Sequence, residues 1–294
     1  MAVASLEMSR TFKRKDPESY QRYSVKTLCF KHGFIIVNFY FRIVKKLFCE
    51  NIGVEFEDNL FTYEETPRRD SAGCLSVIMT QKAANEGQQP SDDITEQRVG
   101  SLYQVIEFLG LGVNIAEEGI FRKAGRVKNQ SELLEKVERG EDLELEGGHY
   151  STHECASVLK TFLSRLSEPL VTSSCYKAHL AICSLNEEQF ERKLFCTQLL
   201  LELIPDQYHR LLKDLLFLLH GVAQRSDENK MSATNLAMMF CSHVLCPKTL
   251  SAEEIQAKHS IFTKSTTFMI EYPTKLFTLP EKLLSEIQVF LSRR

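Results

Sequence analysis

From about residue 91 onward, apolar residues recur three and four positions apart through one segment after another, and this spacing constrains the chain more than any other feature. Leu102, Val105, Ile106 and Leu109 make one such stripe, following Ser91 as a candidate cap. Ser151 and Glu154 have the spacing of a capping box, and Ala156, Leu159, Phe162, Leu163 and Leu166 then define one buried face. Further helices are expected over Ser131–Arg139 with Gly140 as its stop, Glu187–Leu203, Asp206–Gln224 after Pro205, Ala233–Phe240, Ala252–Glu271 and Pro280–Ser292. In the Asp206–Gln224 segment, Leu211, Leu212, Leu215, Leu216, Leu218 and Leu219 leave more than one side apolar, as expected of a central core helix. Strand-like alternation is scarce. Gly and Pro together number 21 of 294 residues, well below average usage, which disfavours a turn-rich β architecture. The expectation for residues 91–294 is one all-α domain, a bundle of helices.

The net charge of −3 conceals a segmental split. Residues 1–53 carry ten basic and four acidic side chains, whereas residues 54–100 carry four basic and ten acidic. A basic, aromatic N-terminal extension (1–53) followed by an acidic linker (54–90) is the organisation this suggests. Within the extension, residues 28–48 fit either a helix or a short pair of strands. Basic groups amid Phe30, Phe34, Ile35, Ile36, Phe39, Tyr40 and Phe41 would suit an anionic membrane surface; a packed extension or ill-ordered tail is the plainer reading. No apolar stretch approaches the roughly 20 residues of a membrane span, and with no apolar run after the first Met a secretory leader is not expected. Nine cysteines without a C-x-x-C suit free thiols in a reducing, cytoplasmic setting rather than disulfides or zinc. The near-neutral balance gives no reason to expect a nucleic-acid partner.

Nucleotide-loop, serine-hydrolase and zinc-protease signatures are all missing from the sequence. His149, His153 and Cys155 form the most metal-like cluster, but His149 falls in the turn before the helix that carries the other two, so a shared metal is not expected. Three other blocks stand out. In Gly119-Ile120-Phe121-Arg122-Lys123-Ala124-Gly125, glycines permit turns on both sides of an arginine while Ile120 and Phe121 can anchor the loop. The second block runs from Val158 to Leu170 and contains Lys160, Phe162, Leu163 and Leu166; the third runs from Asn229 to Phe240 and contains Lys230, Met231, Asn235, Leu236 and Ala237.

In this order and spacing the blocks G-I-F-R, L-K-x-F-L-x-x-L-x-E-P-L and N-K-M-x-x-x-N-L-A-x-x-F resemble the RhoGAP domain family, over roughly residues 95–280. The resemblance implies an all-helical fold of about eight to nine helices. It also implies a regulator that accelerates GTP hydrolysis by Rho, Rac or Cdc-type small GTPases in signalling, rather than an enzyme with its own nucleotide site. No cofactor of its own is implied, since GTP and Mg²⁺ are held by the partner. Arg122 matches the family's arginine finger, and Lys160 and Asn235 match residues that face the GTPase and support the finger. Lys123, Arg126 and Lys128 flank the finger and would help to meet an acidic surface. The blocks His243–Lys248 and Phe268–Ile270 look like those of members that act on Rho itself, which tilts the expected partner toward Rho. Recruitment to a membrane through residues 1–53 would add a second location.

Departures from the pattern carry information as well. The family usually has an arginine four residues after the lysine, where this chain has Ser164, and Arg165 is turned about 100° away on a helix. Ser167 stands in place of a proline, and Cys241-Ser242-His243 in place of G-P-N. A weaker support for the finger, and a weakly catalytic or non-catalytic GTPase-binding scaffold, is the alternative these departures raise.

Overall fold

The computed structural model describes residues 34–53, 63–69, 75–81 and 96–292. Its helices are α1 (Phe34–Ile52), α2 (Glu96–Gly110), α3 (Gly112–Ile115), α4 (Val127–Arg139), α5 (Thr152–Arg165), α6 (Tyr176–Cys183) and α7 (Phe190–Leu201). They continue with α8 (Asp206–Ala223), α9 (Ser226–Asn229), α10 (Ala233–Leu245), α11 (Ala252–Glu271), α12 (Pro273–Leu276) and α13 (Glu281–Ser292). Two strands, β1 (Tyr63–Arg69) and β2 (Leu75–Gln81), pair antiparallel with Tyr63 opposite Gln81 and Arg69 opposite Leu75. From residue 96 onward the described residues are all-α, as the periodicity predicts. Ser91, residues 1–33 and the remainder of the 54–90 stretch lie outside the described residues.

The chain divides into two compact units. One holds Gln89–Lys177 and Ile204–Phe277; the other gathers the N-terminal elements with Ala178–Leu203 and the residues from Thr278 on. The expected single domain over 91–294 is thus divided between the two units. The grouping of 178–203 and 278–292 with the N-terminal elements was not expected. The acidic stretch expected to be a loose linker contains the β1–β2 hairpin.

In the N-terminal unit, α1 packs on α7 and α13. Its buried face is Tyr40, Phe41, Ile43, Val44, Leu47 and Phe48, at three- and four-residue spacing. Tyr40 donates to Glu202 across 2.5 Å, and the Arg192 guanidinium donates to the carbonyl of Asn51 near the end of α1. Tyr40 and Phe41, counted above among candidate membrane-facing aromatics, are thus spent on internal packing. Among the described residues no helix is long and apolar enough to cross a membrane.

The second unit is built around α8, whose leucines 211, 212, 215, 216, 218 and 219 are buried together with Val222. It contacts α2, α10 and α11. Burying each such side chain contributes roughly 1.5–3 kcal/mol, so this one helix carries a large share of the core. The capping box at α5 is formed: Ser151 accepts from the Glu154 amide and Glu154 from the Ser151 amide. Ser251 and Glu254 do the same for α11. The unit's α4 begins at Val127, four residues earlier than expected, and ends at Gly140 in the left-handed conformation. Its early start has a tertiary cause: the Arg126 amide and the Asn129 side chain both donate to Glu154 at 3.1 Å, replacing a local cap. Similarly α10 runs on past Phe240 to Leu245, because Cys241, Val244 and Leu245 continue its buried face.

Candidate functional site

The Gly119–Gly125 loop combines a buried root with an exposed tip. Ile120 and Phe121 are both fully buried, whereas Arg122, Lys123 and Ala124 are exposed. Gly119 has φ +75°, and its amide donates to the carbonyl of Asn229 at 2.8 Å. Phe121, although not a glycine, also has positive φ, at 66°. A left-handed conformation at such a residue costs on the order of 1–2 kcal/mol. Burial of the Ile120 and Phe121 side chains offsets it with roughly 1.5–3 kcal/mol each. The Phe121 ring adds an edge-on contact with Phe240 of α10, with centroids 5.0 Å apart. The strained turn aims the next side chain outward. Among the described residues the Arg122 guanidinium has no hydrogen-bond or ion-pair partner.

Lys160 on α5 braces this turn from beneath. Its ammonium donates to the Phe121 carbonyl at 2.5 Å, and burial pushes its pKa down from the ordinary lysine value. Asn235, in the first turn of α10, donates its amide nitrogen to the Lys230 carbonyl at 3.4 Å, and its backbone amide to the Ser232 cap at 3.2 Å. The structure therefore joins Lys160 to the loop that carries Arg122, whereas the hydrogen bonds of Asn235 run to Lys230 and Ser232. Lys123 is arranged differently: its stem lies over Gly119 and its ammonium pairs with Glu118 at 3.0 Å. That hydrogen bond and charge, followed by the charges of Arg122 and Lys230, hold the Glu118 carboxyl below its ordinary pKa. Arg126 and Lys128 are exposed beside the loop.

Glu154 fixes the far end of the loop. It is 3% exposed, and its carboxylate accepts from Ser151, Arg126 and Asn129. Burial alone would raise its pKa, but these hydrogen bonds outweigh burial and the carboxyl lies below its ordinary value. Asn229, fully buried, ties the near end. Its side-chain nitrogen donates to Ile115 and Val222 carbonyls at 2.7 Å each, and its oxygen accepts from the Met231 amide at 2.8 Å. Neither role was read from the sequence. Asn229 stood within a quoted block, but nothing local marks it as buried. On α10, Met238 and Met239 are 42% and 37% exposed on the same side as Asn235. The three- and four-residue spacing from Asn235 was the signal for these two, since Leu236, Ala237 and Phe240 fill the opposite face.

The other candidates disperse. His149 lies 3.7 Å from Glu132, His153 lies 3.5 Å from Glu117, and the buried Cys155 thiol is pushed up to about 12 by burial and then by Glu154. Among the described residues no group of metal-binding side chains converges. An open hollow of about 760 Å³, lined by Gln104, Glu107, Asp142, Glu144 and Glu146, involves none of Arg122, Lys160 or Asn235. The arginine thus presents itself to an external surface rather than into a cleft of its own unit.

The described residues thus hold Arg122 outward on a braced loop of a helical unit. The RhoGAP domain model matches residues 101–249. The chain is 36% identical over 220 residues to human Rho GTPase-activating protein 19, covering 71% of this chain and 44% of the relative. It is 38% identical over 197 residues to the Xenopus laevis protein of the same name, covering 64% of this chain and 38% of the relative. Among solved structures, the BH domain from GRAF, the GTPase regulator associated with focal adhesion kinase, superimposes with a TM-score of 0.55. It is 21% identical, and the match covers 64% of this chain and 99% of that one. Human Rho GTPase activating protein 15 superimposes with a TM-score of 0.54 at 20% identity, covering 60% of this chain and 83% of that one. The chain belongs to the RhoGAP domain family. It spans less than half the length of the curated relatives it matches.

Proposed function

We propose that this chain accelerates GTP hydrolysis by a Rho-family small GTPase, with Arg122 inserted in trans as an arginine finger. The observation that best supports this reading is the contrast across one peptide bond. Phe121 is fully buried with its carbonyl held by Lys160, while Arg122 is exposed and unpartnered. Phosphoryl transfer spreads negative charge over the γ-phosphate and leaving oxygens, and a guanidinium offers a permanent, planar set of donors there. Fingers of this kind contribute about 10³–10⁵ in rate, or roughly 4–7 kcal/mol of barrier. A rigid loop root means that little reorganisation accompanies the reaction. GTP and Mg²⁺ would be held by the GTPase, so the chain needs no cofactor of its own and acts as an activator. Met238 and Met239 are exposed on the Asn235 face of α10 and would offer the partner a mixed apolar and polar patch.

Single-turnover GTP hydrolysis on Rho, Rac and a Cdc-type GTPase tests the reading. Acceleration is expected, largest on Rho, and Arg122→Ala should abolish it. No acceleration of any of the three, or an active Arg122→Ala variant, would overturn it.

One observation favours a second reading, a GTPase-binding scaffold with little turnover. At the position where the family resemblance implies an arginine, the Ser164 hydroxyl donates to the Thr161 carbonyl at 2.7 Å. Neighbouring Arg165 does not substitute, because it pairs with Glu138 of α4. This reading predicts binding that depends on GTP without faster hydrolysis, and a Ser164→Arg variant that gains turnover.

A further inference from the structure

The C-terminal end of α5 carries a cation that belongs to another element. Lys248 lies just beyond α10, exposed, and its ammonium donates to the Ser164 carbonyl at 3.0 Å. That carbonyl is one of the last four of α5, which have no partner within the helix and lie at its negative end. The turn that delivers Lys248 is well fixed. Cys246 and Pro247 are buried, and the Leu250 amide donates to Pro247 at 3.2 Å. The segment after α5 is joined to the end of α10 by Leu170 donating to His243 at 3.0 Å and Val171 donating to Val244 at 2.9 Å.

Lys248 also shares surroundings with Lys160. Burial pushes the His243 imidazole down to about 4, and the charges of Lys248 and Lys160 push the same way. Both ammonium groups therefore act on one neutral ring. Ser164 lies one helical turn beyond Lys160 on the same side of α5. Two ammonium groups thus mark α5, Lys160 at the root of the loop and Lys248 at the helix end. The Ser164 side chain carries no charge, but an ammonium from a different element stands at its backbone carbonyl, at the end of α5.

We propose that Lys248 is a second charged contact for the GTPase, meeting an acidic patch on its GTP-bound form and setting affinity and partner choice rather than the rate of the chemical step. The proposal rests on the GTPase-activating reading for its partner. An exposed ammonium on a fixed turn raises encounter and binding with an acidic surface, while the charge developing at the phosphate is left to Arg122.

The test uses the full chain in two assays: binding to GTPases loaded with a non-hydrolysable GTP analogue, and single-turnover hydrolysis over a range of chain concentrations. Lys248→Ala should raise the half-saturating concentration about threefold to fivefold, and Lys248→Glu more than tenfold, with the maximal rate unchanged. Lys248→Arg should behave as wild type. Adding Ser164→Arg to Lys248→Ala should restore affinity, which a merely structural lysine would not predict. Unchanged half-saturation in Lys248→Glu, or a lower maximal rate at unchanged half-saturation, would overturn the proposal. Weakened analogue binding in Lys248→Glu without acceleration by the wild-type chain would support it while overturning the catalytic reading. Absence of binding to any of the three GTPases would overturn both.

Discussion

Gly125 and Glu154 are packed so closely that a Cβ added to the glycine would stand 2.3 Å from the Glu154 Cγ and 2.9 Å from its backbone nitrogen. The side chain alone cannot relieve this, because the backbone of α5 is part of the contact. The same Glu154 carboxylate holds the Arg126 amide that closes the loop, so the clash and the loop's position are one problem.

Gly125→Ala should therefore cost about 1–3 kcal/mol of folding stability, as overpacking of a fixed site does. It should also reduce GTPase acceleration beyond that loss, since relaxation would shift the loop that carries Arg122. Chemical denaturation together with single-turnover hydrolysis checks this. A variant with wild-type stability and turnover would show that the loop end tolerates displacement.

Lys160→Met should keep most of the stem's packing and remove the ammonium from the Phe121 carbonyl. Hydrogen bonds to charged groups are worth about 1.5–3 kcal/mol, so a maximal rate lower by roughly ten- to a hundredfold is expected. The half-saturating concentration should change little, because Lys160 acts on the loop from within. The rate and half-saturation are separated by the same hydrolysis assay, and an affinity loss at full rate would place Lys160 in contact with the partner instead.

Much of the architecture was legible where its cause is local. The capping boxes of α5 and α11 and the apolar stripe of α8 are written in neighbouring residues, and these helices fall where expected. The early start of α4 was not, since the Arg126 amide ahead of it and the Asn129 side chain are held by Glu154 of another helix. The short α6 gave no usable period. The β1–β2 hairpin was hidden because β1 is polar and contains Pro67, which argues against a strand. For residues 28–48 composition left helix and strand open; residues 34–48 are helical in α1, which packs on α7 and α13, and 28–33 lie outside the described residues. In the site, Arg122, Lys160 and Asn235 came from the block pattern, whereas Asn229 and Lys248 act through partners 114 and 84 residues away.

Acid should destabilise the fold through two imidazoles, His179 buried and His243 half-buried. Burial pushes His243 from 6.5 down to about 4, reinforced by Lys248 and Lys160; His179, in the N-terminal unit, is likewise pushed to about 4 by burial and then Lys193. Between those values the unfolded chain binds more protons than the folded one. The stability each neutral imidazole supports is present above about pH 6.5 and lost as pH falls toward 4, by up to about 1.4 kcal/mol per pH unit for each group. Denaturation midpoints at pH 7, 6 and 5 measure the slope, and His243→Gln should make it shallower. An unchanged slope in that variant would mean that His243 does not carry it.

Asn229→Asp is the sharpest probe of how the loop is anchored from within. The replacement keeps the shape of the side chain but converts two donated hydrogen bonds, to Ile115 and Val222, into oxygen facing oxygen at a fully buried site. The acceptor role toward Met231 would survive, so the loss is confined to the donors. Leaving buried groups unsatisfied costs about 1–3 kcal/mol each, which predicts a fall of about 2–6 kcal/mol and a melting temperature lower by roughly 5–20 °C. Because the Asn229 carbonyl also receives the Gly119 amide, turnover measured where the variant is still folded should drop with little change in half-saturation. Thermal melts and hydrolysis assays on the full chain read both effects. Wild-type melting would show that the buried amide's two donated bonds contribute little, and wild-type turnover in a destabilised variant would separate Asn229 from the loop it appears beside in the fold.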